Sequence, residues 1–220
     1  MPWAKLGTHI IKMGSCTVPS IGAWVADVET DDEVPEAELA ASVVLTLGPM
    51  TLVGKVARGH AYQGSTRARV VGGHDGWRRT VRARYYIRAQ GVPLSMVLGD
   101  LARDTGEVVR LGVPDVSLGP SYVRIEGAGA LTLYRLGLPW YVGDDGVTVI
   151  GARPSGMVTS AFDPMAYDTA RGVVTVATEA IGEWRPGRTF ASTRLPLTLT
   201  IGGVFHRIES GKLRTDAWVA

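Results

Sequence analysis

Residues 91–150 decide how this chain folds, and they begin with GVPLSMVLGDLARDTGEVV at positions 91–109. The apolar residues of this segment recur three and four positions apart, which places them on one face of a helix. These residues are Leu94, Val97, Leu98, Leu101 and Ala102. Pro93 suits the first position of the helix, and Gly106 suits its end. The segment therefore predicts an amphipathic helix with a buried apolar stripe.

The remainder of the stretch predicts a strand, a second helix and a hairpin. In YVRIEGAGALTLYRLG, at positions 122–137, a short strand precedes a shorter helical pattern. That pattern is formed by Ala130, Leu133 and Tyr134 and ends at Gly137. WYV and VTVI then flank GDDG, which is a typical turn between two antiparallel strands. The helix–strand–helix–hairpin order predicts a small α/β segment.

Strand patterns flank this segment on both sides. SVVLTLG (42–48) and STRARVVGG (65–73) alternate side chains in the manner of half-buried strands. After residue 156 the chain returns to strand-like segments, and Ser210-Gly211 between two of them predicts a hairpin turn. The predicted fold class is mainly β, with two small antiparallel β-barrel-like domains flanking the α/β middle domain.

We expect four parts along the chain, with an acidic, solvated loop at residues 29–38. They are an N-terminal arm that reaches a neighbour (1–19), a first β-barrel domain (20–85), the α/β middle domain (86–152) and a C-terminal β-barrel domain (153–220).

Composition limits the possible functions. The 220 residues carry 23 basic and 21 acidic side chains, so the formal net charge is only +2. A dedicated nucleic-acid-binding protein usually carries a strong basic excess. The 28 glycines and 12 prolines suit many short strands joined by tight turns. Cys16 is the only cysteine, which excludes an intramolecular disulfide and a cysteine metal cluster.

Apolar runs are short throughout the sequence. None approaches the roughly 20 residues of a membrane helix, and the first 16 residues lack the apolar centre of a signal peptide. We therefore expect a protein made in the cytoplasm, without stable membrane insertion.

Motifs for catalysis, cofactors and metals are weak. The four histidines, His9, His60, His74 and His206, lack metal-ligand spacing, and no G-x-S-x-G sequence is present. Cys16 has no base placed beside it in the sequence. We therefore predict no catalytic, cofactor-binding or metal-binding residues.

Two patterns nevertheless suggest chemistry at first sight. GAGALT (127–132) resembles a dinucleotide loop, but it lacks the third glycine and a hairpin follows, so we interpret it as a tight helix entry. Asp144, Asp145 and Asp163 leave a glycosidase carboxylate pair open, although aspartates are also common in turns.

The stretch WRRTVRARYYIR (77–88) is the one basic cluster, and it provides the candidate interface. Arginines interleaved with aromatic residues either bind single-stranded nucleic acid or form a strand with a solvated or subunit-contacting face. We favour the strand or interface. The candidate residues are Arg78, Arg79, Arg82, Arg84, Tyr85 and Tyr86.

Tryptophans are the other large side chains with a predictable place. We expect most of them to be core anchors, although tryptophan is also enriched at protein interfaces. They are Trp3, Trp24, Trp77, Trp140, Trp184 and Trp218.

The middle segment resembles a phage tail baseplate hub of the late control protein D type, related to the hub of type VI secretion spikes. The resemblance lies in the helix LxxVLxxLAxxxG (94–106), the Tyr-x-Arg strand at 122–124 and the hairpin end DGxxxI (145–150). It extends to the flanks, where WRPGRTF (184–190) precedes a final hairpin of the form HxIxxGxxxTxxxV (206–219).

This resemblance implies a structural virion protein of the tail, without enzymatic activity or cofactor. Such hubs are homotrimers whose two barrels per chain form a pseudo-sixfold ring. The ring joins the tail tube or distal tail protein to the central spike or tip, meets the tape measure protein, and encloses a channel that DNA only passes through. The alternative is a β-rich, tail-associated protein that binds or hydrolyses glycans.

Overall fold

The computed structural model describes residues 4–195, 197–209 and 212–220. The prediction of a mainly β fold is confirmed, since 50% of residues lie in strands and 13% in helices. The strands are β1 (Ala4–Leu6), β2 (His9–Pro19), β3 (Val25–Thr30), β4 (Ser42–Leu47), β5 (Met50–Tyr62), β6 (Ser65–Gly72), β7 (Thr80–Val81), β8 (Arg84–Ile87), β9 (Val109–Leu111), β10 (Ser121–Arg124), β11 (Gly127–Ala128), β12 (Trp140–Val142), β13 (Thr148–Ile150), β14 (Gly156–Met157), β15 (Asp163–Asp168), β16 (Val173–Ala177), β17 (Arg188–Phe190), β18 (Leu199–Glu209) and β19 (Lys212–Val219). The helices are α1 (Glu36–Ala40), α2 (Leu94–Thr105), α3 (Gly129–Arg135) and a 3-10 turn at Ile181–Glu183.

Strands β1 to β6 close into a six-stranded antiparallel barrel, which we call the first barrel. The strand order is β1-β4-β5-β6-β3-β2, and β1 pairs with both β4 and β2 to close the ring. Residues 4–19, which we expected to form an arm, are instead β1 and β2. Their inward-facing side chains, such as Ile11, Cys16 and Val18, are buried in the barrel.

The core of the first barrel is built around Trp24, which is fully buried. Gly54 and Gly72 lie against its indole ring, and a Cβ atom on Gly72 would stand 2.5 Å from the indole nitrogen. Such a distance is far below van der Waals contact. Both positions therefore require glycine because of the space that Trp24 occupies.

Strands β14 to β19 form the C-terminal unit, and it continues the sheet of the first barrel. β18 pairs with β2 along residues 203–209 and with β19 on its other edge. Outward from the β2–β18 contact, the order is β3, β6, β5 on one side and β19, β16, β15 on the other. The predicted turn Ser210-Gly211 lies outside the described residues, although Glu209 and Lys212 are paired across the two strands.

Strands β7 to β13, with α2 and α3, form the middle unit. Helix α2 matches the prediction, because Leu98 and Leu101 are buried and Gly106 ends the helix in a left-handed conformation. The predicted β12–β13 hairpin is also present. β9 unexpectedly pairs parallel to β13. β7 and the first half of β8 fall within the predicted first barrel domain (20–85), but β7 and β8 pair instead with β11 and β10 of the middle unit.

Most tryptophans are core residues, as predicted. Trp24, Trp77, Trp140 and Trp184 are buried, Trp218 is exposed, and Trp3 lies outside the described residues. Across the described part of the chain, we find no helix with the length and apolar character needed to cross a membrane.

Candidate assembly surfaces

The predicted interface residues lie on both faces of strand β8 and in the turns before it. Tyr85 points outward and is 76% exposed, whereas Tyr86 points inward and is only 6% exposed. Tyr86 packs with Val92 and Val97, and burial raises the pKa of its hydroxyl. Tyr86 is therefore a core residue, and its inclusion among the interface residues was wrong for this chain. The sequence shows the alternation but not which tyrosine faces inward.

Strands β8 and β10 form a two-stranded ribbon with an apolar outer surface. Tyr85 stands opposite Val123. Ile87 lies on the same face, two residues further along β8 and opposite Ser121. Ile87 is 87% exposed and Val123 is 47% exposed. We call Tyr85, Ile87 and Val123 the ribbon face. Contiguous exposed apolar residues of this kind are typical of contact surfaces.

Two arginine–aspartate pairs, one buried and one at the surface, hold the ribbon on helix α2. The Arg124 side chain is almost completely buried, contacts the Asp104 carboxylate and donates to the Arg82 carbonyl oxygen at 3.2 Å. Arg84 lies 3.1 Å from the Asp100 carboxylate of the same helix. Arg84 therefore positions the ribbon, and Arg124 does so too, although sequence reasoning gave Arg124 no role.

The other arginines of the basic cluster are exposed. Arg78 is bound to Asp75, with its Nε 2.7 Å from the carboxylate. Arg79, Arg82 and Arg88 make no side-chain ion pair with any residue that the structure describes. These three cations are therefore free to meet a partner.

A second surface runs across the junction of the first barrel and the C-terminal unit. It is an open groove of about 770 Å³ over strands β5, β6, β3, β2 and β18, with Met13 and Phe205 among its lining residues. Several charges along this sheet face are paired. Arg67 lies 2.8 Å from Glu29, and Arg207 lies 2.9 Å from Asp216. Sequence reasoning missed this surface because it depends on the β2–β18 pairing.

Two arginines tie the three units together behind that surface. Arg185 of the C-terminal unit donates to Asp144 of the middle unit at 2.6 Å. Arg153 stacks over the Tyr141 ring at 4.3 Å and donates to the Ser20 carbonyl oxygen at 3.3 Å. Burial lowers the pKa of Arg153 to about 10 and also lowers that of Arg185. These contacts fix the middle unit against the first barrel and the C-terminal unit.

The buried titratable groups near this junction are chemically quiet. Burial raises the pKa of the Cys16 thiol to about 12, so it carries no thiolate at neutral pH. Burial also lowers the pKa of His206 to about 3, and its Nδ1 lies 2.9 Å from the Thr215 hydroxyl. Both groups act as neutral core residues.

The acidic residues that left a glycosidase pair open are each held by a different arginine. Asp144 binds Arg185, Asp145 lies 3.6 Å from Arg110, and Asp163 lies 2.7 Å from Arg194. Within residues 4–195, 197–209 and 212–220, no group of three or more His, Cys, Asp or Glu side chains is placed to hold a metal ion.

His9 is the histidine with the clearest ionic environment. Its Nδ1 lies 2.8 Å from Asp32 and its Nε2 lies 3.2 Å from Glu38. The hydrogen bond to Asp32 is the main reason that its pKa is raised. His9 therefore fastens the acidic loop to the first barrel rather than binding a metal.

Comparisons with known proteins show which of them share this architecture. Neither a protein-family model nor a curated protein sequence matches the chain. An E. coli protein, described as a type VI secretion component with structural similarity to the T4 phage tail proteins gp27 and gp5, matches with a TM-score of 0.68 at 10% identity. The match covers 99% of this chain and 76% of that one.

Two tail proteins match over almost their whole lengths. The 43 kDa tail protein of prophage MuSo2 from Shewanella oneidensis gives a TM-score of 0.64 at 10% identity, covering 99% of this chain and 95% of that one. A tail protein from Neisseria meningitidis MC58 gives 0.63 at 13% identity, with 98% and 94% covered. The chain therefore has the fold found in phage and type VI secretion tail proteins.

Proposed function

We propose that this chain is a baseplate or tail-tip hub, a structural protein of the virion tail with no enzymatic role. The observation that carries the proposal is the mirrored strand order on either side of the β2–β18 contact. Each half has a central hairpin, β2–β3 or β18–β19, and a second hairpin beside it, β5–β6 or β15–β16. One chain thus offers two similar β units side by side.

Two similar units per chain suit a ring that must match a sixfold tube. Three copies in cyclic symmetry bring six such units to one level, and closed cyclic symmetry is the usual form of a homo-oligomer. The likeness in fold to tail proteins supports this arrangement. The proposed assembly is a homotrimer whose ring encloses a channel.

The partners of this ring follow from its position. One face meets the tail tube or distal tail protein, and the other carries the central spike or tip, with the tape measure protein in contact. DNA only passes through the channel. The paired charges of the shared sheet face and the net charge of +2 suit a wall that does not retain DNA.

Charge reversal at the exposed arginines tests this function. Arg79→Glu with Arg82→Glu is expected to block incorporation into tails while leaving the melting temperature of the isolated protein close to wild type, because exposed charges contribute little to stability. Arg171→Glu with Arg194→Glu reverses the same number of exposed charges on the C-terminal unit, is the matched control and is expected to assemble normally. Normal incorporation of the double variant would contradict the proposed subunit contact.

DNA binding by the isolated protein separates the structural role from a nucleic-acid role. We expect no tight binding near physiological salt. Submicromolar affinity that falls steeply with salt would overturn the proposal, because each neutralised phosphate releases counterions.

A further inference from the structure

The ribbon face lies next to arginine side chains that form no ion pair within the described residues. Its exposed apolar residues, Tyr85 and Ile87, sit on strand β8. Arg82 precedes this strand and Arg88 follows it, and neither makes a side-chain ion pair within the described ranges. The surface is therefore apolar at its centre and positively charged at both ends, a composition that fits a partner with the opposite charge.

The same chain carries a segment with the complementary composition. Between β3 and β4, residues 31–38 have the sequence DDEVPEAE, and all of them except Val34 are exposed. We call these residues the acidic segment. Asp31 and Glu36 have no cationic partner in the described part of the chain. Pro35 and Ala37 give it a small apolar surface.

The acidic segment is held in place, so it is ready to dock. Val34 is buried, and its amide donates to the Thr66 hydroxyl at 2.8 Å. His9 binds Asp32 and Glu38 from below. Holding a segment in its bound conformation lowers the entropy cost of association.

No ion pair links the acidic segment to the basic cluster within the described chain, so their complementarity is available between copies. A closed ring uses two different surfaces on each copy, one facing each neighbour. A pair of oppositely charged surfaces on one chain meets this requirement. This step rests on the proposed ring.

We propose that the ribbon face of one copy receives the acidic segment of the next copy. Arg82 and Arg88 face Asp31 and Glu36 across this contact, and Tyr85 and Ile87 lie beneath Pro35 and Ala37. The contact repeats around the ring, and it is heterologous because each copy contributes a different surface to each neighbour.

Paired charge reversals test this contact on the full-length protein. Wild type is expected to associate at low salt in sedimentation velocity, and high salt is expected to weaken that association. Arg82→Glu with Arg88→Glu, or Asp31→Lys with Glu36→Lys, is expected to weaken association by at least about tenfold. The chain carrying all four changes is expected to regain it, because every contact is again between opposite charges.

The control and the outcomes are specific. Arg171→Glu with Arg194→Glu changes the same number of exposed charges on the C-terminal unit and is expected to leave association unchanged. A wild type that stays monomeric at low salt, or a fourfold variant that does not recover, would overturn this contact. Neither result touches the hub function, which is tested separately by the presence and copy number of the wild-type chain in assembled tails.

Cross-linking gives a second measurement that does not depend on charge. Cysteines at Ile87→Cys and Ala37→Cys are expected to form disulfide-linked multimers under mild oxidation, while buried Cys16 stays unreactive. Pairing Ile87→Cys with Met165→Cys, which is exposed on β15, is the control and is expected to give none. Equal cross-linking by both pairs would contradict the proposed contact.

Discussion

The first barrel and the C-terminal unit share a strand order but manage their edges differently. The first barrel closes completely, because β1 pairs with both β2 and β4. In the C-terminal unit, β17 pairs with the start of β18 as β1 pairs with the start of β2, but β15 ends the long sheet path. β15 carries Pro164 between charged ends, Asp163 and Asp168, which discourage unwanted strand pairing. Similar topologies can thus be finished by closure or by edge protection.

The two cores differ in composition as well. The first barrel packs aliphatic side chains and glycines around Trp24. The C-terminal unit relies on an aromatic cluster, in which the Trp184 ring lies 4.9 Å from Phe190 and 5.1 Å from Phe162. Because β18 pairs with β2, the C-terminal unit depends on the first barrel for one sheet neighbour.

Truncating the central tryptophan of each unit is the largest test of this difference. Trp24→Ala and Trp184→Ala are each expected to cost about 3–5 kcal/mol of unfolding free energy. Hydrogen exchange is expected to rise in both units for Trp24→Ala, because β18 loses its neighbour. For Trp184→Ala it is expected to rise mainly in β15 to β17. Equal local effects in the two variants would contradict the proposed dependence.

Filling two glycine positions compares the packing of the units. Gly72→Ala is expected to lower the free energy of unfolding by about 1–3 kcal/mol, because its Cβ would collide with Trp24. Gly203→Ala is the matched variant in β18, where the nearest side-chain atom stands 3.4 Å from an added Cβ. It is expected to fold with little loss in urea denaturation. A neutral Gly72→Ala would show that the Trp24 site is loosely packed.

Burial of His206 makes the stability of the C-terminal unit depend on pH. Its pKa is lowered by burial from 6.5 to about 3, so the unfolded chain binds the proton more readily. The contribution of neutral His206 to the free energy of unfolding is therefore complete above pH 6.5. It is lost as the pH falls toward 3, by up to about 1.4 kcal/mol per pH unit. In denaturant melts at different pH values, the unfolding free energy of His206→Phe is expected to lack this part of the dependence on pH. The same dependence on pH in wild type and His206→Phe would show that burial does not keep His206 from being protonated.

His9 provides the opposite and smallest effect in the first barrel. Its pKa is raised, mainly by the hydrogen bond to Asp32, so the folded chain binds the proton more readily. Its contribution is therefore full below pH 6.5 and is lost as pH rises through the raised pKa. His9→Asn is expected to remove a contribution smaller than that of His206, because the carboxylate partners are exposed. NMR titration of His9 and His206 checks both directions.

Local patterns in the sequence predicted the elements whose contacts are close along the chain. The apolar stripe at Leu98 and Leu101 gave α2, and GDDG gave the β12–β13 hairpin. The two β regions also followed from side-chain alternation. Each of these features depends on a spacing of a few residues, which a single sequence displays directly.

Pairings between distant segments could not be predicted in this way. β2 reaches its partner β18 from the opposite end of the chain, and β9 reaches β13 across three strands, β10 to β12, and helix α3. Arg124 resembled any other strand arginine until the ribbon placed it against Asp104. The basic cluster remains a predicted interface, whereas the inward turn of Tyr86 depends on the packing against α2.

The number of copies in the assembled tail tests the central claim most directly. We propose that each chain supplies two similar units to a sixfold position, so a reconstruction of the particle is expected to show three copies in one ring. The first barrels and the C-terminal units are expected to alternate around the channel at six roughly equivalent places. A ring of six copies, or a single copy at the tail axis, would contradict the account.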